Sequence, residues 1–205
     1  MIVVIDYNVG NVKSVRNALD FIGLEDKLSA DPADIEKADG IILPGVAAFG
    51  YAVKALGKTA EVVKEVVRAG KPILGICVGF QLLFDHSCEM GDHKGLGLIA
   101  GDVKAIPPGR TIPHMGWNAV KIADGMDLFA GLNAEEHFYF AHSYHAAVTD
   151  ADARIAYTDY GLDMAASVQK GNIFGVQFHP EKSSKVGLRV LQNFDAICRN
   201  GGRSC

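Results

Sequence analysis

Cysteine is scarce and scattered: four residues in 205, at positions 77, 88, 198 and 205, with no C-x-x-C spacing. That excludes a disulfide framework and a cysteine-based zinc knuckle, and it predicts a reduced, metal-free, cytoplasmic chain. Positive charge is not in excess either. With 20 Lys+Arg against 24 Asp+Glu the net charge is −4, so no nucleic acid and no anionic membrane is expected as partner. No uninterrupted apolar run approaches the roughly 18 residues of a membrane helix. The opening Met1-Ile-Val-Val-Ile-Asp6 has no basic lead-in and turns polar at once, which argues against a secretory signal. Internal repeats, low-complexity tracts and linkers are also missing. At 49% hydrophobic, residues 1–205 are expected to form one domain.

What is there alternates strand and helix. Ile2 to Ile5 reads as a strand ending at Asp6, and Val12, Val15, Leu19 and Ile22 mark one face of a helix stopped by Gly23. A weaker strand is expected near Leu24 to Leu28, a short helix after Asp31-Pro, and a strand at Gly40 to Leu43 closed by Pro44-Gly45. Helices over Tyr51–Leu56 and around Val62–Val67 lead to a strand at Ile73–Ile76. Repeated β-α units with continuous apolar strands predict an α/β fold: a mostly parallel central sheet with helices on both faces. The second half adds an antiparallel β portion. Strands are expected at Leu98–Ile106, Trp117–Ile122, Phe138–Ala146, Ile155–Tyr160, Met164–Gln169 and Ile173–Phe178, with a turn at Lys170-Gly171-Asn172. A last helix spans Ser184–Arg199.

In parallel sheets, chemistry gathers at the carboxyl ends of strands. Asp6, Pro44-Gly45 and Cys77 all fall there. Gly75-Ile-Cys77-Val-Gly79 is a sulfur version of the strand-to-helix nucleophile elbow, with Phe80, Leu83 and Phe84 at helical spacing after it. Glycines two positions either side relieve crowding at such a turn, and a helix N-terminus favours thiolate. The plainer alternative is a buried cysteine between packing glycines. A partner base should be one of seven histidines. His179 stands apart because it ends an apolar strand and opens His179-Pro-Glu181; in extended chain, residues two apart project to one side, so Glu181 can hold the ring. The plainer alternative there is a solvated loop.

Other features carry less. His137, His142 and His145 invite a metal reading, but on one strand 142 would project opposite to the other two, and no metal site is expected. Gly95-Leu-Gly97 reads as a turn rather than a phosphate cradle. Trp117, the sole tryptophan, suits either a core or an exposed anchor.

Gly75-Ile-Cys77-Val-Gly79-Phe-Gln81 together with Gly175-Val-Gln-Phe-His179-Pro-Glu181 resembles the class I (triad) glutamine amidotransferase family, across essentially the whole chain. Asp6-Tyr-Asn-Val-Gly-Asn11, Pro113-His-Met-Gly-Trp-Asn118, Phe140-Ala-His-Ser-Tyr144 and Lys182-Ser183 are similar to the branch that feeds ammonia to imidazole glycerol phosphate synthase in histidine biosynthesis. The resemblance implies L-glutamine as substrate, a cysteinyl thioester, no cofactor, and a heterodimer with a (β/α)8-barrel cyclase subunit. It implies Cys77 as nucleophile, His179 as base and acid, and Glu181 as orienting carboxylate. Val78 N–H resembles one oxyanion donor, and the second comes from the Val46–Ala47 stretch, where Ala47 stands at a common glycine. Gln81, Ser143 and Tyr144 resemble substrate-holding positions, and Trp117, Tyr139, Lys182 and Asn11 resemble the partner contact surface. Alternatives are a glutaminase of another pathway, a cysteine hydrolase or peptidase on the same fold, and a catalytically inactive scaffold.

Overall fold

The computed structural model describes residues 1–201, so Cys205 lies outside the described residues. Strand and helix alternate through the first half: β1 (Ile2–Ile5), α1 (Val12–Phe21), β2 (Asp26–Ser29), α2 (Pro32–Lys37), β3 (Gly40–Leu43), α3 (Phe49–Leu56), α4 (Thr59–Arg68) and β4 (Ile73–Ile76). Then come α5 (Val78–Gln81), the short β5 (His86–Ser87) and β6 (His93–Lys94), and β7 (Gly101–Ala105). The remainder is β8 (His114–Lys121), β9 (Glu135–His142), β10 (Tyr144–Val148), β11 (Arg154–Asp159), β12 (Asp163–Lys170), β13 (Ile173–Val176) and α6 (Ser184–Arg199).

Nine strands form one sheet in the order β2-β1-β3-β4-β13-β12-β11-β8-β9, and β10-β7-β5-β6 form a second. From β2 to β13 every neighbour is parallel; from β13 to β9 every neighbour is antiparallel. The parallel and antiparallel portions are thus one sheet, meeting at β13. Every residue of β1, β3, β4 and β13 is buried, as a sheet covered on both faces requires. α1 packs with α6, while α2 and α3 pack with α4. Among the described residues no helix is long and apolar enough to cross a membrane.

Three expectations need correction. The apolar run Phe138–Ala146 is not one strand. It breaks at Ser143, whose carbonyl accepts the Ile106 N–H at 3.0 Å, and the two pieces, β9 and β10, enter different sheets. The parity argument for His137, His142 and His145 therefore lapses, since His145 belongs to another sheet. The helix after Cys77 is short, because the carbonyls of Leu82, Leu83 and Phe84 accept the N–H groups of Leu96, Leu98 and Gly97 instead of continuing the helical ladder. Finally, the chain is extended at His179 but coils into a 3-10 turn over Pro180–Lys182.

Candidate active site

The elbow is built by close packing of backbone. Cys77 sits at φ 55°, ψ −108°, a strained conformation for a residue with a side chain, and its N–H donates to the Val176 carbonyl at 2.9 Å. A Cβ on Gly75 would lie 2.6 Å from the Gly79 carbonyl oxygen, and one on Gly79 would fall on the Leu43 carbonyl oxygen. The glycines thus let β3, β4 and α5 approach one another. Gly175, opposite Gly75 in the parallel β4–β13 register, leaves the space that the Phe80 ring fills.

Register also delivers the other members. β13 runs parallel beside β4, so the chain leaves it next to Cys77 and places His179 there. His179 is 2% exposed, and its Nδ1 lies 2.8 Å from Glu181 Oε1. The 3-10 turn, rather than strand parity, is what folds the carboxylate back onto the ring. His179 N–H donates to the Tyr139 carbonyl at 2.8 Å, and buried Ser183 donates its hydroxyl to the His179 carbonyl at 2.6 Å. Tyr139 N–H in turn donates to Ser183 Oγ at 3.0 Å. That closed loop fixes the backbone of the base. Burial is the largest influence on the ring and disfavours its charge, but Cys77 and Glu181 outweigh it and raise His179 to about 9.

A cavity of about 380 Å³ opens beside the sulfur. Val46, Ala47, Cys77, Val78, Gln81, Ser143 and Tyr144 all line it, so one cavity gathers every residue expected at the oxyanion and substrate positions. Ala47 does not take a positive φ, which is why its methyl is accommodated. Gln81 Nε2 donates to the Tyr144 carbonyl and to Gln177 Oε1, both at 3.0 Å. The Val78 N–H is occupied: it donates to the Gly45 carbonyl at 3.2 Å. In a trans peptide the carbonyl and the following N–H point opposite ways, so Val46 N–H is aimed away from Val78.

Trp117, half-buried Tyr139 and Lys182 form a surface cluster. Trp117 and Tyr139 are cross-strand partners with ring centroids 6.3 Å apart, and Lys182 Nζ lies 5.9 Å from the Tyr139 centroid. Trp117 is 54% exposed, so it is not a core residue. Asn11 does not join them; its side chain caps α1 by accepting the Ser14 N–H at 3.3 Å.

Sequence reasoning missed two residues. Gln177 Nε2 lies 3.9 Å from Cys77 Sγ and adds a side-chain donor beside that of His179, where a one-turn helix carries little dipole. Its place two residues before His179 was the available signal. Glu89 also lines the cavity, its carboxylate accepting the Phe49 N–H at 2.8 Å; nothing in the local pattern marks it.

Residues 3–197 match the family model for class-I glutamine amidotransferases. The chain belongs to that family. This amidotransferase is 46% identical to imidazole glycerol phosphate synthase subunit HisH of Moorella thermoacetica, over 99% of this chain and 98% of that one. It is 48% identical to the subunit of the same name from Lacticaseibacillus casei, over 95% and 94%. Among solved structures, PurLQS of Thermotoga maritima superposes with a TM-score of 0.76 at 24% identity, covering 96% of the amidotransferase and 97% of that chain. That likeness speaks for the fold alone.

Proposed function

We propose that the chain hydrolyses L-glutamine to glutamate and ammonia through a thioester on Cys77, as the glutaminase subunit of an imidazole glycerol phosphate synthase. The observation that carries this is the buried His179–Glu181 pair set beside a strained cysteine that opens into the cavity walled by Gln81, Ser143 and Tyr144. Cys77 Sγ attacks the side-chain amide carbon, and the carbonyl electrons move onto oxygen. His179 gives its proton to the departing nitrogen as the C–N bond breaks, releasing ammonia and leaving the acyl thioester. A water that loses its proton to His179 then attacks the thioester, and glutamate leaves as the sulfur recovers its electrons. Glu181 holds the ring tautomer and the charge it gains. Glu89 offers a carboxylate to the substrate's α-ammonium.

The oxyanion needs two donors. Rotation of the Gly45–Val46 peptide would free Val78 N–H and bring Val46 N–H round as the second. In this reading the partner is a (β/α)8-barrel cyclase docked over the Trp117–Tyr139–Lys182 cluster, and its loading drives that rotation. The name shared by these relatives and the exposed Trp117 and Lys182 support it. The test is a glutaminase assay with the candidate cyclase, with and without its nucleotide ligand. Glutamate should form fastest when both are present. No glutamate formation under any condition would overturn the reading.

A further inference from the structure

β8 carries His114 and Asn118 on its inner face, and β9 pairs His142 opposite His114. These three make a hydrogen-bonded row. Asn118 Nδ2 lies 3.3 Å from His114 Nε2, His114 Nδ1 lies 2.9 Å from His142 Nε2, and His142 Nδ1 lies 2.7 Å from the Tyr144 carbonyl oxygen. The direction of every bond can be worked out from the ends, because a carbonyl only accepts. Tyr144 O requires the proton on His142 Nδ1, so the neutral ring has a lone pair on Nε2. His114 must then donate from Nδ1 and accept at Nε2. Asn118 agrees from the other end: its nitrogen donates to the Asp159 carbonyl at 2.9 Å, and its oxygen accepts the Ala119 N–H at 2.9 Å. Both rings are neutral, since burial lowers His114 to about 4 and His142 to about 3.

The row ends where the glutamine cavity begins. Tyr144 O accepts from both His142 and Gln81, and the other Gln81 donor bond goes to Gln177. Both amide hydrogens of Gln81 are therefore engaged, which leaves Oε1 as the group it can offer a ligand.

We infer that Asn118, His114 and His142 are positioning residues for glutamine: their one-way row holds the Tyr144 carbonyl, and so keeps the Gln81 amide turned with its oxygen as an acceptor for the substrate. This rests on the glutaminase reading. Without the row, Tyr144 O loses one of its two donors and is free to shift, carrying the Gln81 nitrogen bonded to it and moving Oε1 away from where a substrate ammonium needs an acceptor.

Three variants of the full chain test it. His142→Leu removes both ring contacts. His142→Asn keeps an N–H near the Nδ1 position. His114→Phe keeps a ring to stack on Phe140 and Tyr160, which lie at centroid distances of 4.7 and 4.0 Å, and removes the donor. Loss of one such hydrogen bond should raise KM for glutamine about tenfold in His142→Leu, with kcat falling far less. His142→Asn should recover most of that loss, and adding His114→Phe to it should change little more. Labelling of Cys77 by a glutamine-analogue electrophile should slow in His142→Leu, while alkylation by iodoacetamide keeps its rate. Imidazole ¹⁵N shifts should show His142 as the Nδ1–H tautomer in the wild type and a mixture in His114→Phe. An unchanged KM in His142→Leu would overturn the inference, as would equal slowing of both reagents or an Nε2–H tautomer in the wild type. A wild-type chain neither labelled by the analogue nor active on glutamine would instead remove the glutaminase reading, while the ¹⁵N result would still report on the row.

Discussion

The Val78 N–H donates to the Gly45 carbonyl at 3.2 Å, so the amide that follows Cys77 is already bonded to the loop from which a second donor must come. One missing oxyanion donor costs on the order of a hundredfold to a thousandfold in rate. Hypothesis: the isolated chain hydrolyses glutamine slowly, and ligand-loaded cyclase raises kcat by at least about tenfold. Trp117→Ala or Lys182→Ala should blunt that activation without altering slow basal turnover or thermal stability. Full activity of the isolated chain at saturating glutamine would refute the gate.

The nucleophile is tested by removing its acidity. Cys77→Ser is expected to lose at least about a thousandfold in kcat while still binding glutamine, because an alcohol is far less ionised than a thiol. Mass spectrometry of the analogue-labelled wild type should place the adduct on Cys77. An adduct on exposed Cys88 or buried Cys198 would sink the assignment.

Glu181→Gln separates orientation from nucleophilicity. The amide can hold the wrong tautomer and cannot stabilise imidazolium, so kcat should fall on the order of a hundredfold or more with KM little changed. Near-wild-type turnover would make Glu181 a bystander.

The raised pKa of His179 has a stability consequence. The native ring keeps its proton up to about 9, against an ordinary value of 6.5. The stabilisation is therefore fully present below the ordinary value and is lost as pH climbs through the raised one. Cys77→Ala removes one of the two partners that raise it. Its NMR titration midpoint for His179 should be lower than in wild type, and the gap in Tm between the two proteins should close between about pH 6 and about pH 10. A gap independent of pH would show that the pairing adds nothing to folding.

Packing at the elbow predicts a steric defect. Gly79→Ala puts a methyl on the Leu43 carbonyl, which is backbone and cannot step aside, so a loss of about 3 kcal/mol or more is expected from chemical denaturation. Gly23→Ala is the control. Its Cβ meets nothing, and only its φ of 72° resists, so its loss should be smaller. Equal losses would mean that the Leu43 backbone yields to the methyl, since Gly79 itself has an ordinary helical backbone.

Much of this was legible in the residues. β1, β3 and β4 announce themselves as apolar runs closed by polar or glycine punctuation, and α6 spans the predicted Ser184–Arg199. Cys77 and His179-Pro-Glu181 were readable because local spacing encodes them. The break at Ser143 was not, since the bond that makes it reaches across to Ile106. The state of the Gly45 carbonyl was equally hidden. A glycine advertises freedom, and here it also clears space, with a Cβ lying 2.8 Å from the Tyr7 hydroxyl, but neither fact says which way the peptide points. The Asn118–His114–His142 row needed the β8–β9 register, which no local pattern supplies.

β13 joins β4 on one side and β12 on the other, and it is made almost last. A ribosome that has finished Asn172 has made every other strand of both sheets, but the large sheet is still in two pieces with β4 and β12 as raw edges. Exposed edges of this kind recruit other chains. Until the final strand threads between them, Cys77 has no Val176 carbonyl to seat its backbone and no histidine beside it. Truncated products from stalled synthesis should thus be chemically silent yet prone to aggregate, and the enzyme comes into being in one late step rather than by degrees.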